Sequence, residues 1–335
     1  MIRYKDVAYD YSEEKRVIAE ILRTIRETSI LSREKVLEKT IGHYASLIDI
    51  GRRFMAITTD GVGTKVVIAE SVEKYETIGI DLVAMNANDL ICVGAEPSVF
   101  VDYIALPRME DKIIFEIMHG IKEGCKQANM AIVGGETAIM NTLSHVELSG
   151  TAIGFVEKGK EILGDKINVG DIIIGIESSG IHSNGLSLVR KVLVEKYGLD
   201  YEIDGEPLWK HLLKPTRIYV KPIIDLIKHV KVHGIAHITG GAYKKILRIT
   251  RYGYRLRMPE PPSIFKAIER EGVPCDEMYK TFNMGIGIIV VIPREEKEEA
   301  LQILNKYYPA HVLGEVIKEH VTVIEKEGEK IALSP

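Results

Sequence analysis

Two spacings of apolar residues alternate along this chain. Val17, Ile18, Ile21, Leu22 and Ile25 share one side of a 3.6-residue period, which predicts an amphipathic helix. Asp10, with Glu13 three residues later, can form a capping box at its start. Residues 54–59 then read as a strand ending in Asp60, 77–93 as a helix, 98–105 as a strand and 113–128 as a second helix. A short strand at 130–133 and a longer one at 148–156 close this series. Charged residues and glycines interrupt the pattern over 157–170. A second series follows, with a strand at 171–176, a serine- and glycine-rich loop, and helices at 186–197 and 218–229. Strands at 234–238 and 285–292 come next, then a helix opening at Pro293 with a charged, solvated face at 294–299. An α+β half stands on each side of the break, and the halves are set at 1–167 and 168–335.

Four runs of small residues follow apolar, strand-like stretches. They are Asp60-Gly61-Val62-Gly63-Thr64-Lys65, Gly134-Gly135-Glu136-Thr137, Ser178-Ser179-Gly180-Ile181-His182-Ser183-Asn184-Gly185 and Thr239-Gly240-Gly241. Glycine lets backbone N–H groups approach an anion closely, although it also serves any tight turn. Four such runs, two of them carrying acids, point to a polyphosphate held through a divalent cation. The first is not a Walker loop, because G-x-x-x-x-G-K-[ST] is absent. Asp60 can hold Mg²⁺ while the glycine backbone and Lys65 meet phosphate oxygens; the alternative is a D-G turn with a surface lysine.

Asp81, Met85 and Asn88 share a helix face at i, i+4, i+7, with Asp89 beside it. Asp81 alone reads as a helix-surface or capping residue, whereas Asn88-Asp89 in an otherwise apolar helix demand a partner. Glu136 is expected where a strand opens into a loop, as a ligand or as a helix-start acid. Asp102 is an acid inside a strand, suited to a sheet edge, an interface or a metal. His182 can donate a proton, bond a phosphate or cap the following helix. His233 and His237 are four apart in a strand context, which separates them by roughly 13 Å, too far to share one ion. Packing or a ligand hydrogen bond is left for His237.

Composition narrows the function further. A 335-residue chain with 46% hydrophobic and 27% charged residues is globular and long enough for two domains. A net charge of −4 provides no basic field for nucleic acid. Cys92, Cys125 and Cys275 form no C-x-x-C, so buried thiols in a reducing compartment are expected. The N-terminus is polar, and the longest apolar run, 285–293, is short of the roughly 20 residues a membrane helix needs. A cytoplasmic protein is expected.

The motifs, in this order, resemble aminoimidazole ribonucleotide synthetase (phosphoribosylformylglycinamidine cyclo-ligase). Matching stretches are Thr59 through Lys65, Ile78-Gly79-Ile80-Asp81-Leu82-Val83-Ala84-Met85 with Asn88-Asp89, Gly94-Ala95-Glu96-Pro97, and Gly134-Gly135-Glu136-Thr137-Ala138. Later ones are His182-Ser183-Asn184-Gly185, Pro215-Thr216-Arg217-Ile218-Tyr219-Val220-Lys221, Ala236-His237-Ile238-Thr239-Gly240-Gly241, and Glu277-Met278-Tyr279-Lys280-Thr281-Phe282-Asn283 with Gly285-Ile286-Gly287. They cover about 58–293, and the 215–221 and 277–287 runs are the most specific.

The resemblance implies a two-domain α/β fold, with N-terminal domains pairing in a dimeric β-barrel and a C-terminal α/β domain. It implies ATP and Mg²⁺ as cofactors, a homodimer, and formylglycinamidine ribonucleotide as substrate. Asp60, Asp89 and Glu136 would surround the metal, and Lys65 would meet ATP phosphates. Gly61, Gly63, Thr64, Gly134, Gly135, Thr137, Gly240 and Gly241 would line the nucleotide, with His182 and Asn184 near the reacting centre.

The chain also departs from the family pattern. The segment that is glycine-rich in the family reads Ile41-Gly42-His43-Tyr44-Ala45-Ser46, Val7-Ala8-Tyr9 replaces Ala-Gly-Val, Ile139-Met140-Asn141-Thr142 follows the Glu136 run, and Ala242 stands where a third glycine is usual. The alternatives are a relative of thiamine-monophosphate kinase or selenophosphate synthetase type, or a non-catalytic nucleotide-binding paralogue.

Overall fold

The computed structural model of the chain describes residues 2–8, 11–326 and 328–334, the side chains of 11–15 excepted. Asp10 and the side chain of Glu13, the expected capping box, lie outside the described residues. The first helix, α1 (Tyr11–Ser29), is present, and its apolar residues Val17, Ile18, Ile21 and Ile25 are exposed.

The first sheet comprises β1 (Ser46–Asp49), β2 (Arg53–Gly61), β3 (Glu96–Leu106), β4 (Ala131–Ile139) and β5 (Glu147–Glu157), in the order β1-β2-β5-β3-β4. All neighbours are antiparallel except β3 and β4. Alternate residues of β2 and β5, among them Phe54, Ala56, Leu148, Ala152 and Val156, are buried on the face covered by α3 (Glu76–Cys92), which in turn packs on α2 (Lys65–Ser71) and α4 (Asp111–Ala128). The other face leaves Val101 and Tyr103 exposed, with Met140 just beyond; Val133, at the β4 bulge, and Ile139, at the strand's end, are exposed as well.

Fourteen of the 17 residues of α3 are buried, so this helix is the core of the first half and not a surface element. It lies against α4 through glycines: a Cβ on Gly120 would stand 1.9 Å from the Glu76 carbonyl. The strand expected at 130–133 runs on to Ile139. Its second part pairs with the otherwise open parallel edge of β3, which keeps Gly134 to Thr137 in the strand and out of a loop.

The second sheet is built from β6 (Ile172–Glu177), β9 (Gly234–His237), β10 (Gly253–Arg257), β11 (Ile286–Ile292), β12 (Ala310–Ile317), β13 (Thr322–Lys326) and β14 (Glu329–Leu333). Its order is β14-β13-β10-β12-β6-β11-β9, and a small hairpin of β7 (Glu202–Ile203) and β8 (Glu206–Pro207) stands apart. The interior strand β11, between β6 and β9, is buried along its whole length, matching its unbroken apolar run. After β6 the chain forms a loop, then α5 (Leu186–Val189), a wide π-type turn at Arg190–Val194, and α6 (Glu195–Tyr197). Next come α7 (Leu208–Leu213) and α8 (Val220–His229). Helix α3 also packs on β9 and α8, which joins the two halves.

Candidate active site

Asp60 lies at the end of β2 and Asp89 on α3, and the two carboxylates feel one another. Asp60 is pushed up to about 6, first by burial and then by the negative charge of Asp89; the Gly61 N–H, 2.8 Å from its Oδ1, works the other way. The Asn86 side-chain amide reaches the Asp60 carbonyl at 3.3 Å. Asp89 in turn is 3.1 Å from Nδ1 of buried His237. The amide of Asn88 faces the other ring nitrogen of His237 at 3.4 Å, so Nε2 accepts and Nδ1–H donates to Asp89. The Tyr44 hydroxyl donates to the His237 carbonyl at 3.2 Å, and the Arg248 guanidinium sits 3.8 Å over the Tyr44 ring. The 41–46 segment is thus pinned by a tyrosine.

The loop after β6 approaches from the second half. Asn283 holds it, donating to the Gly180 and Ile181 carbonyls at 2.8 and 3.1 Å, while Tyr243 donates to the Asn283 carbonyl at 2.7 Å. His182 is left-handed, with φ 65°, an uncommon conformation for a non-glycine residue. Its Nε2 accepts from the backbone N–H of Ser179 at 3.2 Å and of Arg217 at 3.5 Å. The ring proton is therefore on Nδ1, which is buried and has no partner. Burial, assisted by the positive charges of Lys65 and Arg217, holds the imidazole well below its ordinary pKa, so it is neutral.

The Asn184 amide nitrogen is likewise buried without a partner. A Cβ on Gly240 would lie 3.2 Å from Asn184 Oδ1, which brings the Thr239-Gly240-Gly241 turn against this loop. Gly241 has φ 79°, and Ala242, at the place of the third glycine, is itself held at φ 33°. The Thr64 and Ser187 hydroxyls are 3.4 Å apart, tying the first glycine loop to the start of α5.

Three of the four small-residue runs thus meet, and the fourth does not. Asp60, Gly150, Asp102 and Gly135 form one row across β2, β5, β3 and β4, a span of roughly 14 Å at about 4.8 Å per strand. Glu136 pairs with Tyr103 on the outer face and is exposed in mid-strand, correcting its placement at a strand-to-loop junction. Among the described residues, no three His, Cys, Asp or Glu side chains are grouped to hold a metal. Asp102 is buried, its carboxyl raised by burial, and lies over Gly135.

Lys65 is also placed differently from the sequence reading. It is neither on the surface nor open to the cleft: it is fully buried, 2.7 Å from Asp81 Oδ2, and donates to the Lys214 carbonyl at 2.6 Å. Asp81 is equally buried, which corrects its reading as a helix-surface residue. It accepts from the Thr216 N–H and hydroxyl, both at 2.6 Å. His233 bonds its own carboxylate, Asp171, at 2.7 Å. The Cys92 and Cys125 thiols are buried and pushed up, Cys125 to about 12. Sequence reasoning missed the part His237 plays in orienting Asp89, and Tyr219, whose ring centre lies 6.4 Å from that of His182 and whose hydroxyl donates to the Glu177 carbonyl at 2.9 Å. The only available signal for Tyr219 was its position in the specific 215–221 run.

Residues 42–156 match the N-terminal domain family of AIR synthase related proteins, and 168–326 match the C-terminal domain family. The phosphoribosylformylglycinamidine cyclo-ligase of Pyrococcus furiosus is 52% identical over 98% of this chain and 99% of its own length. The chain belongs to the AIR synthase (phosphoribosylformylglycinamidine cyclo-ligase) family. The cyclo-ligase of Methanocaldococcus jannaschii is 42% identical over 99% of this chain and 95% of its own length. Among solved structures, AaThiL complexed with AMPPCP and TMP superposes with a TM-score of 0.68 at 17% identity, over 99% of this chain and 98% of that one. Hydrogenase maturation protein HypE in complex with ATP gives 0.64 at 19%, over 84% of each chain. At that identity these two share the fold alone.

Proposed function

We infer that this chain closes the imidazole ring of formylglycinamidine ribonucleotide at the expense of ATP, giving aminoimidazole ribonucleotide, ADP and phosphate. The observation that carries this reading is 52% identity to a cyclo-ligase over 98% of this chain and 99% of the other. The likeness to AaThiL complexed with AMPPCP and TMP is at 17% identity and extends only to the fold. The formamide oxygen takes the γ-phosphoryl group, a nitrogen of the same substrate attacks that carbon, and phosphate leaves in place of a poor oxide leaving group.

The residues support this chemistry by position. The unpartnered Nδ1–H of His182 and amide of Asn184 are donors aimed at no protein acceptor, as an anionic oxygen requires. His182 is neutral, so it donates without carrying a charge. Fixing donor and acceptor contributes about 7–11 kcal/mol at best. Asp60 and Asp89 fit Mg²⁺: both offer only hard oxygens, and the rise of Asp60 under the charge of Asp89 is a repulsion that a cation would relieve. Mg²⁺ held there would neutralise charge on the nucleotide phosphates.

A homodimer through the outer face of the first sheet would cover Val101, Tyr103 and Met140, among which Glu136 stands, with Val133 at the neighbouring bulge. The domain boundary is set at 167/168 and the setting is cytoplasmic; among the described residues no helix is long and apolar enough to cross a membrane. ADP release measured with and without formylglycinamidine ribonucleotide tests the reading. Substrate-dependent release supports it, and ATP binding with no release in either case refutes it in favour of a nucleotide-binding paralogue.

A further inference from the structure

The segment from Lys214 to Tyr219 belongs to the second half, yet the first half grips it at several points. Lys65 donates to the Lys214 carbonyl, and Asp81 accepts both Thr216 donors. Asn88, two turns further along α3, accepts from the Tyr219 N–H at 2.9 Å and donates to the Arg217 carbonyl at 2.9 Å. The face formed by Asp81, Met85 and Asn88 is therefore turned toward this segment and not toward a cation. The segment also touches the His182 loop. The Thr216 hydroxyl is 3.3 Å from that of Ser183, Ser179 donates to the Pro215 carbonyl at 2.6 Å, and the Arg217 N–H meets His182 Nε2.

We propose that Lys65 and Asp81 are positioning residues, a buried ion-pair latch that sets the Asp60 glycine loop against the His182 loop by holding Thr216 between them. The proposal rests on the ATP-dependent reading above for its kinetic consequences. Lys65 follows Thr64 directly, so its anchor fixes where the glycine loop ends. Both charges are fully buried, and two of the three ammonium donors are spent on protein oxygens. A buried ion pair is a poor source of stability compared with apolar packing, and its best-attested use is to fix register. A lysine in this state does not serve as a mobile phosphate ligand.

The test compares Lys65→Met, the double variant Lys65→Met with Asp81→Asn, and Thr216→Val in the full chain. ATP binding is read by calorimetry and turnover by ADP release. A latch predicts that Lys65→Met lowers kcat about 100-fold, the cost of a misplacement near 1 Å, while the ATP Kd stays within about threefold. The double variant removes the stranded carboxylate charge and regains about tenfold of that loss. Thr216→Val, which keeps its N–H bond to Asp81, lowers kcat about tenfold with ATP affinity unchanged. If Lys65→Met does not fold, the double variant and Thr216→Val decide by the same criteria. A weakening of ATP binding by about tenfold or more in Lys65→Met, not recovered in the double variant, would overturn the latch in favour of a direct phosphate contact. Full activity of Thr216→Val would overturn it as well. Absence of turnover in the unaltered protein would count against the cyclo-ligase reading instead, leaving ATP binding and thermal unfolding of the three variants to judge the latch.

Discussion

Replacing Asp60 with Asn should make the nucleotide-free protein more stable while abolishing its turnover. Asparagine keeps the shape and can still accept the Gly61 N–H, so the change is mainly the loss of a charge. Asp60 is raised from 3.8 to about 6, first by burial and then by Asp89. A shift of about two units at 1.36 kcal/mol each corresponds to about 3 kcal/mol, an upper figure because the side chain is not fully enclosed. The sign follows from linkage. Below 3.8 the carboxyl is protonated in both states and costs nothing. As pH rises from 3.8 toward 6 the unfolded chain ionises and the folded one does not, so stability falls; above 6 the full penalty is present. Urea unfolding in EDTA should therefore show the Asn variant more stable at pH 7.5, with the gain largely absent at pH 4. A gain independent of pH, or a variant less stable at pH 7.5, would refute the argument. Near-normal ADP release would refute the assignment of Asp60 to the metal.

Other expectations follow from the same geometry. A Cβ on Gly287 would stand 2.0 Å from the Tyr219 hydroxyl and 2.7 Å from His182 Cε1, so Gly287→Ala should cost about 1–3 kcal/mol in thermal unfolding and lower turnover; normal activity would show that His182 tolerates displacement. His182→Asn removes a buried imidazole that resists protonation and places a residue tolerant of φ 65°. Because the lowered pKa costs the folded state increasingly as pH falls below 6.5, the variant should gain relative stability at acid pH while losing turnover. An unchanged acid limb in a pH series of melting temperatures would contradict this. Val133→Lys should convert a dimer to monomers in sedimentation velocity with little change in secondary structure, since Val133 is 60% exposed in the single chain; a dimer that persists would place the interface elsewhere.

Long apolar periodicities announced most of the first half: α3, α4, β2, β3 and β5 are where the spacing predicted them, because each buries one continuous face or run. Strands such as β13, Thr322–Lys326, and β14, Glu329–Leu333, were not legible. Their charged residues come in adjacent pairs, Glu325-Lys326 and Glu329-Lys330, which break the two-residue alternation, and only pairing with β10 and with each other makes them strands. At the site, the convergence of the 60–65, 178–185 and 239–241 runs was readable as a chemical pattern. The fate of Lys65 was not, since a lysine after a glycine loop looks the same in sequence whether it meets phosphate or a buried carboxylate. Glu136 misled for a related reason: glycines beside an acid suggest a loop, and the open edge of β3 drew them into a strand.

The face of α3 turned toward Thr216 and Tyr219 has a consequence for how this chain can be divided. Cut at the linker, the first fragment would display the Asn88 amide and one oxygen of the Asp81 carboxylate, and the second the Thr216 and Tyr219 N–H groups, each with its answering group on the other piece and apolar surface around it. Neither should persist by itself, whereas the two expressed together should reassemble, so this polypeptide should behave in unfolding and in inheritance as a single indivisible unit despite its two sheets.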